Sequence, residues 1–536
     1  MVGLYADLVV LNGNVITMDD ENPRAEAIAV KDGKIVFVGS SREVREFIGD
    51  KTQVIDLKGR TVVPGFIDTH IHLIGFGFSL MWIDLRDVTS IEELKRKVKQ
   101  RAESTPEGKW ILGRGWDQEK FVEKRYPNRW DLDEVAPSNP VMLRRVCGHI
   151  CVVNSKALEI AGITKDTPDP DGGKIDRDEN GEPTGILREK AMSLVWEKLP
   201  SPTLEESLKA AELACMEAVK HGITTVHFVS ATPEEFKLLQ LLKRMGKLNL
   251  RVCLYMGGKI LDHVLSLGVM RGFGDDFLKI NGIKLLVDGS LGARTAALRE
   301  PYADDPKNPN NRGILVMPYD ELKNLVEKVH SAGLQLAIHG IGDRAIELII
   351  NAVEEALNKN PRTNHRHRIE HASIIDLDLI RRMKKIGMVA AVQPRFIISD
   401  FWAVDRLGES RASWIYPLKT FMKEGVPIGG GSDCPVDPLD PIYQIYSAVT
   451  RGKYENIKLY SYTPEECLTP MEALKIFTID AAYLGFEEDL KGSIVVGKLA
   501  DLTVLSDDIT SVPEEDIKNI RVLATIVNGE IVFSEL

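Results

Sequence analysis

Cysteines and long apolar runs are both scarce in this sequence. Six cysteines among 536 residues are too few for a disulfide framework in a chain of this size, which favours a reducing environment. No segment reaches about 18 uninterrupted apolar residues, so a membrane-spanning helix is not expected. Met1 to Asp20 lacks a basic start followed by an apolar core and a small-residue cleavage site, so we expect no secretory signal and a cytoplasmic location.

Basic residues are also fewer than acidic residues. The 79 acidic residues outnumber the 68 Lys and Arg residues, and the net charge is -11. This balance argues against a nucleic acid or an anionic membrane as the partner. The length would suit about three domains of roughly 150 residues each. One large barrel enzyme with appendages fits equally well, because such barrels run to about 250 residues or more.

The two ends of the chain share a β-rich character that the middle lacks. Short apolar runs flank the turn pairs Asn12-Gly13, Asp32-Gly33 and Asn528-Gly529, and such pairs are strong hairpin signals. We therefore predict that residues 1–62 and 486–536 together form a small β-sandwich domain.

The middle of the chain alternates strand-like apolar runs with helical patterns. This alternation is typical of a parallel α/β architecture, and eight predicted strands match a (β/α)8 barrel of the TIM type, which we place at residues 63–485. Segments 79–139 and 154–202 are too long for ordinary loops, and we interpret them as lid-like insertions. The predicted strands are Thr61–Asp68, Pro140–Val146, Thr224–Phe228, Ile283–Val287, Leu334–Ile338, His367–Ile369, Val389–Val392 and Pro427–Gly430.

The first predicted barrel strand is followed by His70-Ile71-His72. Side chains two residues apart on a strand share a face, and imidazole is the commonest protein metal ligand, so this pair supplies half of a metal site. Chemistry on a barrel converges at the C-terminal ends of the strands, and we predict a two-metal pocket there that activates water near neutral pH. Further potential ligands come after later strands: Lys284, His339, His371 and Asp433.

These features together resemble the amidohydrolase superfamily. Its order of His-x-His, Lys, His, His and Asp is present, and so are the split β domain and the ending Ala500-Asp501-Leu502. More narrowly, the chain looks like the YtcJ-type branch (amidohydrolase family 3), which includes N-substituted formamide deformylase. The resemblance covers nearly the whole chain. The pieces that carry it are Gly115-Trp116-Asp117, Gly148-His149, Asn154 to Leu158, Gly181 to Leu187 and Asp288 to Ala296.

The resemblance implies a binuclear metal centre. The first two histidines would hold the more buried metal with the aspartate, the other two would hold the second metal, and Lys284, as a carbamate formed with carbon dioxide, would bridge both. Zinc is the favoured divalent metal. Asp433 would also act as the general base, and His149 would polarise the substrate carbonyl or bind the oxyanion. The implied ligands are His70, His72, Lys284, His339, His371 and Asp433.

Several of these residues have ordinary alternatives. Lys284 pairs with Asp288 in one alternative, and the site then holds a single metal. Trp116, Arg294 and Asp343 are candidates for substrate contacts. A tryptophan in a core, an arginine paired with an acidic neighbour and an aspartate that caps a helix explain the same three residues structurally.

The predicted function is metal-dependent hydrolysis of a carbon–nitrogen bond in a non-peptide or small amide, with an N-substituted formamide or N-acyl amine as the favoured substrate. A second interpretation keeps the same site but opens a ring amide or deaminates a heterocycle. A third is a regulatory or scaffold protein with a retained metal site. A homodimer is a family-level expectation.

Overall fold

The computed structural model describes residues 5–145 and 150–536. The chain forms two compact units, Met1–Leu73 with Cys215–Leu536, and Ile74–Ala214. Among the described residues, none of the helices combines the length and the apolar character that a membrane crossing requires.

The first unit contains a nearly closed barrel of eight parallel strands that neighbour one another in chain order. The last strand meets the first, because Thr69 Oγ1 donates to the carbonyls of Gly429 and Gly430 and Ile71 bridges to Cys434. This barrel confirms the predicted TIM-type fold. Its strands are β1 (Phe66–Ile71), β2 (Ile223–Ala231), β3 (Arg251–Gly257), β4 (Leu278–Leu286), β5 (Gln335–Gly340), β6 (Arg368–His371), β7 (Val389–Val392) and β8 (Ile428–Gly430).

Two predicted barrel strands need correction. The first, Thr61–Asp68, divides in two: Thr61–Pro64 pairs with Leu502–Leu505 outside the barrel, and only β1 is a barrel strand. The second was assigned to the wrong sheet. The segment Val141–Arg145 is a strand, but it pairs with Ile111–Trp116 in the sheet of the second unit. The barrel strand that the prediction lacked is β3, which pairs with β2 on one side and β4 on the other. Both segments are short apolar runs, and strand pairing over long sequence separations decides which sheet such a run joins.

Helices come after most barrel strands, and the three predicted ones lie close to the predicted bounds. The prediction gave Leu204 to Val219, Tyr319 to His330 and Ala345 to Leu357, and the first of these helices spans both units. From Leu204 onward the α-helices are Leu204–Lys220, Pro233–Arg244, Leu261–Ser266, Tyr319–Ser331, Asp343–Lys359, Leu377–Ile386, Phe396–Ser399, Ala403–Leu407, Leu418–Lys423, Pro441–Thr450, Lys458–Tyr462, Pro470–Lys475 and Ile479–Leu484.

Two further sheets share one hydrophobic cluster. The first is built from the N-terminal part of the chain alone, and the second combines strands from both ends. The turns at Asp32-Gly33 and Asn528-Gly529 form hairpins, but Asn12-Gly13 connects strands of different sheets, so the prediction of a hairpin at that turn was wrong. One sheet contains Leu8–Leu11, Ala27–Lys31, Lys34–Gly39 and Gln53–Asp56; the other contains Asn14–Ile16, Arg24–Ala25, Thr61–Pro64, Leu502–Leu505, Val522–Val527 and Glu530–Ser534.

The second unit has a six-stranded sheet of its own. Both predicted insertions, 79–139 and 154–202, lie within this single unit, because the strand between them belongs to its sheet. Its strands are Ile83–Asp84, Ile111–Trp116, Val141–Arg145, Ile150–Val153, Gly173–Arg177 and Pro183–Glu189. Its helices are Ile91–Glu103, Arg129–Asp133, Ser155–Ala161 and Ser193–Trp196, and Leu73–Met81 leads into it.

Three buried histidines lie together where β6 begins. His367 Nδ1 accepts the backbone N–H of Leu336 at 3.0 Å, and the other ring nitrogen contacts His330 Nδ1 at 2.9 Å. His365 Nδ1 accepts the N–H of His367 at 2.9 Å, and its Nε2 donates to the carbonyl of Ile386 at 2.6 Å. Each neutral ring therefore uses one nitrogen as donor and the other as acceptor. An added proton would break one of these hydrogen bonds.

We expect this cluster to make stability fall at acidic pH. Burial lowers the pKa of His365 to about 4 and holds the pKa of His367 well below its ordinary value. Below about pH 6.5 the unfolded chain takes up protons that the folded protein excludes, so the free energy of unfolding decreases as pH falls toward 4. For His365 alone the decrease is about 2 to 3 kcal/mol.

Urea unfolding at pH 7.5 and pH 4.5 measures this effect. The variant His365→Gln should lose part of the pH dependence, whereas His263→Gln, at an exposed helical position, should keep it. An equal pH dependence in wild type and His365→Gln would contradict the prediction.

Candidate metal centre

Three predicted ligands form a compact group at the C-terminal end of the barrel. Nε2 of His72 lies 3.3 Å from Oδ1 of Asp433, and Nε2 of His70 lies 3.5 Å from the same oxygen. One donor atom from each of the three residues falls within 4.8 Å of the others. His70 and Asp433 are buried, whereas the side chain of His72 is 38% exposed. The group is thus open to solvent on one side only.

The backbone between β8 and β1 determines where Asp433 lies. Its N–H donates to the carbonyl of His70 at 2.8 Å, and its φ of 55° is left-handed. Gly431 allows this close approach, because a Cβ there would lie 2.7 Å from the backbone nitrogen of His70 and 3.0 Å from Asp68 Oδ1. The glycine-rich end of β8 is therefore required for the aspartate to reach the histidines of β1.

Lys284 on β4 lies next to this group. Its Nζ is 3.5 Å from Nε2 of His70, and only 3% of the residue is exposed. Burial lowers the pKa of Lys284 to about 8, although the carboxylates of Glu370 and Asp433 act in the opposite direction. A lysine amine must be neutral before it can react with carbon dioxide, and a lowered pKa favours that form.

Asp288, the alternative partner for Lys284, forms hydrogen bonds with other groups. Asp288 accepts the backbone N–H groups of Ala297, Ile341 and Gly342 at 2.9 to 3.1 Å. One of its oxygens also lies 3.4 Å from Nε2 of His339. The Lys284–Asp288 pair is therefore not formed, and Asp288 instead organises the loops around β4 and β5.

The remaining two histidines extend the group into a row of imidazoles. Ring centroids are 5.7 Å apart for His72 and His70, 4.7 Å for His70 and His371, and 4.6 Å for His371 and His339. His371 comes directly after Glu370, so a regular strand would send these two side chains to opposite faces. The left-handed φ of His371, 74°, breaks that alternation.

In three of the rings, one nitrogen contacts a hydrogen-bond acceptor. The other nitrogen is therefore the one that could bind a metal. His70 Nδ1 contacts Glu370 Oε2, His371 Nδ1 lies 2.8 Å from Gln393 Oε1, and His339 Nε2 lies 3.0 Å from the carbonyl of Gly289. Because each partner is an acceptor, the contacting nitrogen carries the proton. The nitrogens that carry no proton, and so keep a lone pair, are then Nε2 in His70 and His371, and Nδ1 in His339.

The protonation states also suit metal binding. Burial, followed by the neighbouring His339, lowers the pKa of His371 to about 3, so its ring is neutral at physiological pH. Burial raises the pKa of Asp433, but the imidazoles of His70, His72 and His371 together outweigh burial and hold the pKa well below the usual range. Neutral imidazole and ionised carboxylate are the forms that bind metals. Nitrogen and oxygen donors of this kind fit zinc and other divalent first-row metals.

The proposed substrate contacts have other partners. Trp116 is fully buried in a core cluster of the second unit, and its Nε1 donates to the carbonyl of Leu143 at 2.9 Å. Arg294 binds both carboxylate oxygens of Asp304. Asp343, the first residue of its helix, accepts the backbone N–H of Arg344 and that of Arg299 from a preceding loop. These contacts favour the structural alternatives for Trp116 and Arg294. The N-cap of the helix is Gly342, with no side-chain cap, so Asp343 does not cap the helix and instead joins its first turn to the loop at Arg299. His149 lies outside the described residues.

Sequence reasoning missed Glu370 and Gln393, which support the ligands rather than bind a metal themselves. Both lie on or just after barrel strands and are buried. The available signal was the spacing of Arg368 and Glu370 on β6, since two charged residues two positions apart in a buried strand share the same face.

A second group of donor side chains consists of His227, Cys253 and Glu487. Arg368 Nη1 lies 2.8 Å from His227 Nδ1. A guanidinium only donates, so this nitrogen accepts and the proton of the neutral ring resides on Nε2. The same glutamate also contacts Lys279 and Lys491. The protonated Nε2 of His227 has no lone pair for a metal, and the ammonium groups of Lys279 and Lys491 already pair with Glu487. These three residues therefore do not form a donor set for a cation.

Comparison with known proteins gives consistent matches over nearly the full chain. The profile of the amidohydrolase family matches residues 53–533. The YtcJ protein of Bacillus subtilis is 36% identical over 98% of this chain and 98% of its own length. N-substituted formamide deformylase of Arthrobacter pascens is 29% identical, and the match covers 98% of this chain and 97% of that enzyme.

A solved structure has the same architecture. The crystal structure of an uncharacterized metal-dependent hydrolase from Pyrococcus horikoshii matches with a TM-score of 0.80 at 35% sequence identity. The match covers 95% of this chain and 99% of that chain.

Proposed function

The chain belongs to the amidohydrolase family and is a metal-dependent hydrolase, and from this premise we propose that it cleaves the carbon–nitrogen bond of a small, non-peptide N-acyl or N-formyl amine. The observation that carries the proposal is the group of His70, His72 and Asp433, with donor atoms within 4.8 Å of one another. The buried Lys284, 3.5 Å from one of these ligands, supports a carbamate-bridged pair of zinc ions.

Asp433 has the central catalytic role in this proposal. A divalent metal, when bound, supplies Lewis-acid polarisation and makes water nucleophilic near neutral pH. The carboxylate of Asp433 accepts a proton from the attacking water and delivers it to the leaving nitrogen. Its lowered pKa keeps it ionised and ready to accept. We retain His149 as the proposed group that polarises the substrate carbonyl.

Apolar side chains at and after the ends of barrel strands support a substrate with an apolar substituent. The ring of Phe396 is stacked on His371, with centroids 6.2 Å apart. Leu286 at the end of β4, Phe401 after β7 and Val436 after β8 are 47%, 63% and 65% exposed. Exposed apolar groups at the C-terminal end of a barrel are suited to hold an apolar part of a ligand. The similarity to N-substituted formamide deformylase supports the same class of substrate.

Removal of metal tests the proposal directly. We expect dialysis against a chelator to abolish hydrolysis of an N-formyl or N-acyl amine with an apolar substituent, and added zinc to restore it, because the nucleophile depends on the metal. Metal content per chain should be about two for the bridged centre. A value of about one would indicate a mononuclear site.

A substrate panel of N-formyl amines, N-acyl amines, lactams and aminopyrimidines then tests the substrate class. Turnover confined to lactams or aminopyrimidines would contradict the acyl-amine proposal while retaining the hydrolase. Absence of bound metal, with no hydrolysis after addition of zinc, manganese or nickel, would favour the scaffold alternative.

A further inference from the structure

The barrel interior next to His70 contains an ion pair where branched apolar residues are usual. Arg368 and Glu370 on β6 are both fully buried, and Nε of the arginine contacts Oε1 of the glutamate. TIM-barrel interiors are filled mainly by Val, Ile and Leu. A buried ion pair often stabilises a fold no better than apolar residues of similar volume. Stability alone therefore does not explain why this ion pair lies beside the proposed metal ligands, and its position indicates another role.

Glu370 accepts hydrogen bonds on both of its oxygens. Oε2 contacts Nδ1 of His70, and Oε1 contacts Nε of Arg368. A carboxylate offers only acceptors, so the proton of His70 is held on Nδ1 and the lone pair on Nε2 points toward Asp433 and Lys284. The glutamate thus selects the tautomer that can bind a metal through Nε2.

Arg368 is in turn fixed by the opposite walls of the barrel. Its Nη2 donates to the carbonyl of Thr69 on β1 at 2.7 Å. Its Nη1 donates to His227 Nδ1 on β2 at 2.8 Å and lies 3.3 Å from the hydroxyl of Tyr255 on β3. The guanidinium also lies over the ring of this tyrosine, 4.2 Å from its centroid. Contacts to three strands leave the arginine, and therefore the glutamate, little freedom to move.

We propose that Glu370 is a positioning residue for the metal centre, and that Arg368 holds it in place. The inference rests on the metal site of the proposed function. The glutamate fixes the ring orientation and tautomer of His70 and, through the hydrogen bond, increases the basicity of Nε2. Strand β6 would then supply a support residue and a ligand, His371, at adjacent positions.

The variant Glu370→Gln tests this role. Glutamine has one acceptor oxygen, so it cannot receive both the Nδ1–H of His70 and the Nε–H of Arg368. We expect zinc affinity, measured by competition with a chromophoric chelator, to fall about 10- to 100-fold. Glu370→Asp keeps a carboxylate and should recover part of that loss. The matched control is Glu466→Gln, the same substitution at a buried glutamate that accepts the backbone N–H and the hydroxyl of Thr420 and contacts none of the proposed metal ligands, and its zinc affinity should equal that of wild type.

A second measurement does not require a folded variant. Nitrogen NMR of the wild-type apoprotein should show His70 protonated on Nδ1, and protonation on Nε2 would overturn the inference. Equal zinc affinity of wild type and Glu370→Gln would also overturn it. If wild type itself binds no divalent metal, the proposed function fails as well. If wild type binds zinc but one of the two results above is found, only this inference fails, so the two failures are distinguishable.

Discussion

Replacement of Asp433 by asparagine is expected to lower kcat/KM about 10²- to 10⁴-fold, the range associated with loss of a general acid–base group. Asparagine keeps the size of the side chain and one oxygen, so the contacts of that oxygen with His70 and His72 can persist. It cannot accept a proton from the attacking water. Steady-state hydrolysis by the zinc-loaded enzyme measures the loss, and metal analysis of the same sample separates it from loss of the metal.

Asp440→Asn provides a matched control for this experiment. Asp440 lies seven positions further along the chain, and its side chain caps the helix Pro441–Thr450 by accepting the N–H groups of Ile442 and Tyr443. Asparagine caps helices about as well as aspartate, so this variant should retain wild-type kinetics. If Asp433→Asn also retained its activity with full metal content, another group would have to be the base.

That three of the proposed metal ligands lie close together could be predicted, because their positions depend on two local rules. Residues two apart on a strand share a face, and residues after parallel strands meet at one end of a barrel. His70, His72 and Asp433 obey these rules. His371 is brought to the site by a left-handed backbone conformation. No propensity of the sequence Glu370-His371-Ala372 indicates that conformation, which is uncommon for residues other than glycine.

The errors in the predicted fold have a different origin. Val141–Arg145 and β3 are both short apolar segments, and each is a real strand. Only pairing partners far along the chain decide that β3 lies between β2 and β4, while the other segment joins a separate sheet. The prediction for Asn12-Gly13 failed for a similar reason, because the turn connects two sheets instead of two neighbouring strands. Turn residues specify a change of direction, and long-range strand pairing decides which sheet the next strand joins.

The substrate contacts were the least predictable part of the site. Trp116 and Arg294 lie in motifs that resemble the family, and Asp343 lies just after a barrel strand, yet each makes its hydrogen bonds within the protein. Such a motif can be retained because it builds a loop or a core. The residues that touch a substrate belong to loops whose conformations depend on long-range packing.

Replacement of Lys284 by alanine is expected to remove the second metal and to lower kcat/KM about 10³-fold. A metal contributes several kcal/mol of transition-state stabilisation, and each 1.36 kcal/mol corresponds to about a tenfold change in rate. Metal analysis should show about one ion or fewer per chain where wild type holds about two. In wild type, labelled bicarbonate should give a carbamate signal that is absent from the variant.

Chemical rescue distinguishes a bridging carbamate from a lysine that only packs beside His70. The alanine variant leaves a space at a position that is 3% exposed in wild type, and acetate or propionate in that space would supply the two oxygens that the carbamate provided. Activity of Lys284→Ala should therefore rise with carboxylate concentration. Lys284→Gln fills the space with an amide and should show no rescue. Because a neutral amide cannot replace a carbamate as a ligand, a glutamine variant with full metal content and full activity would mean that the histidines and Asp433 hold the centre alone.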